Sequence, residues 1–207
     1  MLTPQANQLA LLLRGSGSAE EWALPWDVPG DEATLDEIAS RLARRIIGTT
    51  PPWIEQIGAF GDRTRHPGDA DISVAFVALV PLGTPAPEGE EFAWFRLDEL
   101  PVLPERHRVI ARHAVSMVRD HIDLSPVAFR LLPVSFTLSE LQQMYELLLG
   151  KRLHKASFRR ALQAAWLVEP TDEWRSEGRG RPAQLYQYAP KKRKKGRRGV
   201  RFDLLTP

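Results

Sequence analysis

Lys155, Ser157, Arg159 and Arg160 crowd one short segment. Three more arginines, Arg175, Arg179 and Arg181, stand around Gly178 and Gly180 a little further on. Lysine and arginine reach phosphate oxygens, and arginine can also pair through two parallel N–H donors with a guanine edge. A serine near the start of a helix adds a short polar contact. Glycines let a basic loop tip approach a sugar-phosphate backbone closely. Two adjacent arginines also describe an ordinary solvated helix face, so the surrounding elements must decide what the charge is for.

A second, thinner set lies in the front of the chain. Arg14, Trp26, Asp62, Arg63 and Arg65 are candidates for binding a small anionic ligand. Guanidinium groups hold diphosphates, and an indole face stacks on adenine. The same residues equally describe loop charges and a core tryptophan. The acids Asp31, Glu32, Asp36 and Glu37 cluster at a helix start, where the helix dipole favours them. His66, His107, His113, His121 and His154 show no metal-ligand spacing; His113 and His121 share a helix but lie eight residues apart. No Ser/His/Asp set stands out. No catalytic residue and no metal ligand is assigned.

The elements that must position these residues are legible in the back half. SPVAFRLLP (125–133) reads as a short linking helix closed by Pro133. Thr137 and Glu140 form a capping box, Leu138, Leu141, Tyr145 and Leu148 form an apolar stripe, and Gly150 is the stop. A second helix runs from about His154 to Ala165, with Phe158, Leu162 and Ala165 inward. WLVEP (166–170) and AQLYQYAP (183–190) read as paired strands, and their connection carries the arginine–glycine tip. Trp174 is read as packing within that hairpin rather than touching a base. Helix, tight turn, helix and basic hairpin outline a winged helix-turn-helix, a module that sets one helix in the major groove.

In the front, QLALLLR (8–14), IEQIGAF (54–60), ISVAFVALV (72–80) and EFAWFRL (91–97) are apolar, strand-compatible runs between turn-rich stretches. Thr34 and Glu37 predict a capped helix start, Leu35, Ile38, Leu42 and Ile46 its apolar side, and Gly48 its end. A further helix spans about 105–121. The order strand, helix, strands, helix favours an α/β sandwich. The expected division is 1–125, 126–190 and a basic tail, 191–207.

With 207 residues, 43% hydrophobic and 26% charged, the chain suits one or two globular cores. The absence of cysteine excludes disulfides, thiolate zinc sites and a cysteine nucleophile, and fits a cytoplasmic protein. The apolar start is too short to span a membrane and lacks a basic leader. The net charge of +2 is uneven: residues 134–207 sum to roughly +9 and residues 1–133 to roughly −7. A polyanion is therefore drawn to the back of the chain. KKRKKGRRGVR (191–201) has no apolar partner and suits nonspecific phosphate contact.

WALPWDVPGDEATLDEIASRLARRIIG resembles the Nudix box. Aligned on Gly48, the box arginine falls on Arg41, but the three magnesium-binding glutamates fall on Leu42, Arg45 and Ile46. The stretch 91–103 resembles the late strand and Asp-Glu-Leu-Pro turn of Nudix domains. The back half resembles the Nudix-related transcriptional regulators (NrtR), through Phe136–Gln142, Ser157–Arg160 and Arg181–Tyr186. This resemblance implies a Nudix-like sandwich followed by a winged helix-turn-helix. It also implies a homodimeric repressor of NAD-related genes on a pseudo-palindromic double-stranded operator. ADP-ribose is the implied effector, with no other cofactor. The missing glutamates argue against hydrolysis. The alternatives are an active Nudix hydrolase with a nucleic-acid anchor, and an RNA-binding or architectural protein.

Overall fold

The computed structural model describes residues 1–5, 8–15, 21–30, 33–61, 66, 68–85, 87, 89, 91–122, 126–176 and 182–189. The chain forms two compact units, Met1–Val118 and Arg119–Pro207.

The first unit runs β1 (Leu2–Gln5), β2 (Gln8–Gly15), β3 (Trp22–Ala23), α1 (Leu35–Ile47), β4 (Trp53–Phe60), β5 (Ser73–Leu79) and β6 (Phe92–Arg96). It also holds most of α2 (Glu105–His121). The sheet order is β3-β2-β1-β5-β4, and β6 pairs with β2 on the same sheet. β1 and β5 are parallel, whereas β4 and β5 pair antiparallel with an irregularity at Gln56/Gly58. Leu9 through Leu13 are buried without a break. This is why β2 reads as a continuous apolar run and not as an alternating one: both its faces are covered.

Helix α1 forms where the sequence placed it. The Thr34 side chain accepts the Glu37 N–H, the Glu37 carboxylate accepts the Thr34 N–H, and Gly48 closes the helix with φ of 74°. Asp36 and Glu37 lie in its first turn and Arg44 and Arg45 in its last, both favourable to the dipole. Ile46 and Ile47 pack with Leu12 and Val80, and Leu42, Phe92 and Trp94 lie against this cluster.

The second unit contains α3 (Val127–Arg130), β7 (Ser135–Phe136), α4 (Leu138–Leu149), α5 (Lys155–Ala165), β8 (Val168–Arg175) and β9 (Ala183–Tyr188). Its sheet has the order β7-β9-β8. Thr137 and Glu140 make the second capping box. Gly150 adopts φ of 70°, a left-handed conformation that favours glycine; the nearest group to a Cβ there is the mobile end of Arg119, at 2.8 Å. Tyr145, Phe136, Phe158, Leu141, Leu148 and Leu162 form the core. The Tyr145 and Phe158 rings meet edge-on at 5.5 Å, which seats α5 on α4. The α/β sandwich followed by a winged helix-turn-helix expected from the sequence is the fold observed.

Candidate nucleic-acid interface and ligand cleft

The turn between α4 and α5 is held by one carboxylate. Glu146 accepts the Leu153 N–H at 2.9 Å and the Gln142 amide at 2.9 Å, and pairs with Arg152 at 3.0 Å. The Gln142 amide also donates to the Leu153 carbonyl at 3.1 Å. Burial works to raise the Glu146 pKa. The Leu153 N–H, the Gln142 amide and Arg152 outweigh it and hold the group below its ordinary value. The resulting stability is present above the unfolded carboxylate pKa and lost as pH falls through the lower folded one. Glu146→Ala is therefore expected to cost about 1.5–3 kcal/mol, the range for hydrogen bonds to a charged group. Urea unfolding at neutral pH followed by circular dichroism checks this; an unchanged midpoint removes the clamp role.

The clamp fixes where α5 begins, and α5 has two distinct sides. Phe158 and Leu162 are fully buried. Lys155, Arg159 and Arg160 are exposed, and none has an ion pair among the described residues. Lys155 and Arg159, four residues apart, share a face. Ser157 is half-buried, with its Oγ 3.2 Å from His154 Nδ1. Three exposed cations on an anchored helix can meet phosphates or base edges without first breaking an ion pair among the described residues.

The hairpin differs from expectation at two residues. Arg175 was assigned to the basic tip. Instead it ends β8 with its guanidinium 2.6 Å from Glu140, and it also donates to the Ser135 carbonyl at 3.4 Å. Glu140 is the capping-box residue of α4, so Arg175 ties the hairpin to the helix start. Trp174, read as packing within the hairpin, is 58% exposed. Arg179 and Arg181 lie outside the described residues, as does the tail 191–207.

In the first unit, two of the five ligand candidates meet. Arg14 and Trp26 line one cleft of about 780 Å³. Leu42, Arg45 and Ile46, the positions aligned with the Nudix glutamates, line the same cleft. Arg14 Nε pairs with Glu91 at 2.8 Å, and Arg45 pairs with Asp27 at 3.2 Å. In the sequence Arg45 stands out only as a position without the Nudix glutamate, and that aligned position is the signal that points to it as a site residue. Asp62, Arg63 and Arg65 lie outside the described residues.

A buried histidine pair backs the Trp26 wall. His107 Nδ1 accepts the Leu24 N–H at 2.9 Å, and His66 Nδ1 accepts the Gly68 N–H at 2.9 Å. The two rings lie 4.8 Å apart, and Trp26 meets His66 edge-on at 5.0 Å. Burial first, then His66 and Arg106, push the His107 pKa down to about 4. Burial followed by Arg106 lowers that of His66. These histidines lack metal-ligand spacing because their role is to accept backbone N–H bonds.

A Nudix-like α/β unit with an altered box, followed by a winged helix-turn-helix with a basic second helix, defines the class: a two-part regulator architecture. Residues 128–188 match the family described as the NrtR DNA-binding winged helix domain. The chain is 29% identical over 175 residues to the ADPR responsive transcriptional repressor NtrR of Acinetobacter baylyi, covering 79% of this chain and 70% of that relative. The crystal structure of Shewanella oneidensis NrtR complexed with a 27mer DNA superposes with a TM-score of 0.77. It is 28% identical and covers 91% of this chain and 90% of that one. A MutT/nudix family protein from Enterococcus faecalis shares the fold, with a TM-score of 0.70 at 20% identity over 91% of this chain and 84% of that one. The second unit thus matches the NrtR winged helix domain, and the chain shares its two-unit fold with Shewanella oneidensis NrtR.

Proposed function

We propose that this protein is a homodimeric transcriptional repressor that binds a pseudo-palindromic operator through α5 and the basic hairpin tip. The cleft holding Arg14 and Trp26 senses ADP-ribose or a related nucleotide, and binding there releases DNA. Genes of NAD metabolism are the expected targets, and the cytoplasm the expected compartment. The first unit serves as a sensor and not as a hydrolase, because Leu42, Arg45 and Ile46 offer no carboxylate where magnesium needs hard oxygen ligands. The observation carrying the reading is the exposed trio Lys155, Arg159 and Arg160 on a helix fixed from behind by Phe158 and Leu162. The similarity to an ADPR responsive repressor and to a DNA-complexed NrtR supports it.

The test is fluorescence anisotropy on a duplex from the region upstream of the gene, against scrambled DNA at about 150 mM salt, a level at which nonspecific phosphate binding is weakened. Selective binding that ADP-ribose reverses is expected. By linkage, the factor by which ADP-ribose weakens DNA binding must equal the factor by which DNA weakens ADP-ribose binding. Equal affinity for both duplexes overturns the repressor reading. Magnesium-dependent release of AMP from ADP-ribose overturns the sensor reading and restores the hydrolase.

A further inference from the structure

The Nudix box implies magnesium, yet the donor set in the cleft does not fit it. Magnesium takes near-octahedral oxygen ligands. The aligned positions present two apolar side chains, Leu42 and Ile46, and one cation, Arg45. Glu91, which lines the cleft, is engaged by Arg14, and Asp27 beside it is engaged by Arg45. Among the described residues no group of three His, Cys, Asp or Glu side chains is placed to hold a metal.

We propose that Arg45 itself supplies the positive charge, so that this cleft binds a diphosphate directly and without a metal ion. The proposal deepens the sensor reading above and rests on it for the nucleotide class of the ligand. Arg45 and Arg14 line one cleft, together with Trp26. Each arginine meets its carboxylate through a single nitrogen: Nε of Arg14 and an Nη of Arg45. A guanidinium carries five N–H donors, so each arginine keeps donors for a second acceptor. The Arg45 and Arg14 side chains are 63% and 42% exposed, so an incoming anion reaches them without unfolding anything. Planar forks facing one cleft match the oxygens of two linked phosphates better than an ammonium does.

Arg45 also sits in the last turn of α1, where any cation complements the dipole. The variants must separate that role from ligand binding. Arg45→Lys keeps the charge for the helix but removes the fork. The full-length protein is titrated calorimetrically with ADP-ribose, ADP and inorganic pyrophosphate, in EDTA and again in magnesium, with adenosine as control. Binding is expected in EDTA and unchanged by magnesium. Arg45→Ala is expected to weaken it about 10- to 100-fold, the loss of a charge-assisted bidentate pair. Arg45→Lys should lose most of the same affinity, at an unchanged melting temperature, while adenosine binding holds.

Diphosphate binding that requires magnesium overturns the proposal. So does EDTA-resistant binding within twofold of wild type in Arg45→Ala, although that result leaves ADP-ribose sensing intact. Failure of all three phosphates to bind in EDTA also overturns it. If ADP or pyrophosphate binds through Arg45 and ADP-ribose does not, the diphosphate site stands and the choice of ADP-ribose falls.

Discussion

Replacing Arg159 and Arg160 together by alanine is expected to weaken operator binding by about a thousandfold. Each arginine at a protein–DNA interface contributes about 1–3 kcal/mol. Two of them, close to independent, amount to about 4 kcal/mol, and each 1.4 kcal/mol is tenfold. Both side chains are exposed and without ion pairs among the described residues, so the folded protein loses no ion pair when they are cut back. The melting temperature should therefore hold while affinity collapses. The specific and scrambled duplexes divide the two roles an arginine can play. A residue on phosphate lowers both affinities and makes the salt slope shallower by about one; a residue reading a base lowers only the specific one. Affinity within threefold of wild type at an unchanged melting temperature removes α5 from the interface.

That such an experiment can be designed from sequence shows which features are locally encoded. The capping boxes at Thr34/Glu37 and Thr137/Glu140, and the αL glycines Gly48 and Gly150, are set by residues within one turn of each helix end. Their bounds could be read directly from the chain, as could both faces of α5. The short strands β1, β3 and β7 were not readable. Thr3-Pro4-Gln5 has no apolar alternation, and β1 exists because Leu2 and Pro4 pair with Leu11 and Leu9 of β2. Side-chain partners fixed by the fold were equally invisible. Arg175 reaches Glu140 across 35 positions, and Arg14 reaches Glu91 across 77. An arginine just before a glycine-rich tip looks like a DNA contact until its partner is known. The cleft combined both kinds of information. Arg45 was visible as a departure from a motif, but only the closing of α1 and β2 around one cavity made that departure a candidate function.

Acid should dismantle the sensor unit before the carboxylates titrate fully, and His107 is the reason. The folded protein holds this imidazole neutral, with its pKa near 4 against 6.5 for the free side chain. It is 1% exposed, and its Nδ1 is committed to the Leu24 N–H, so a proton there finds neither water nor an acceptor. Below pH 6.5 the unfolded chain takes up a proton that the folded chain refuses. The stabilising contribution is therefore complete above pH 6.5 and is lost as pH falls toward 4. A shift of that size corresponds to about 3 kcal/mol. His66 and Arg106, which face the same ring, act in the same direction by disfavouring a second positive charge. His107→Asn keeps an oxygen to accept the Leu24 N–H but does not titrate. Urea unfolding of both proteins across this range should show a steep loss in wild type and a flatter profile in the variant. A parallel loss in the two would assign the acid sensitivity elsewhere. Leu24 is two residues from Trp26, so the proton that breaks the Leu24 bond also loosens the cleft wall. ADP-ribose binding by wild type should therefore fail together with stability, and survive to lower pH in His107→Asn.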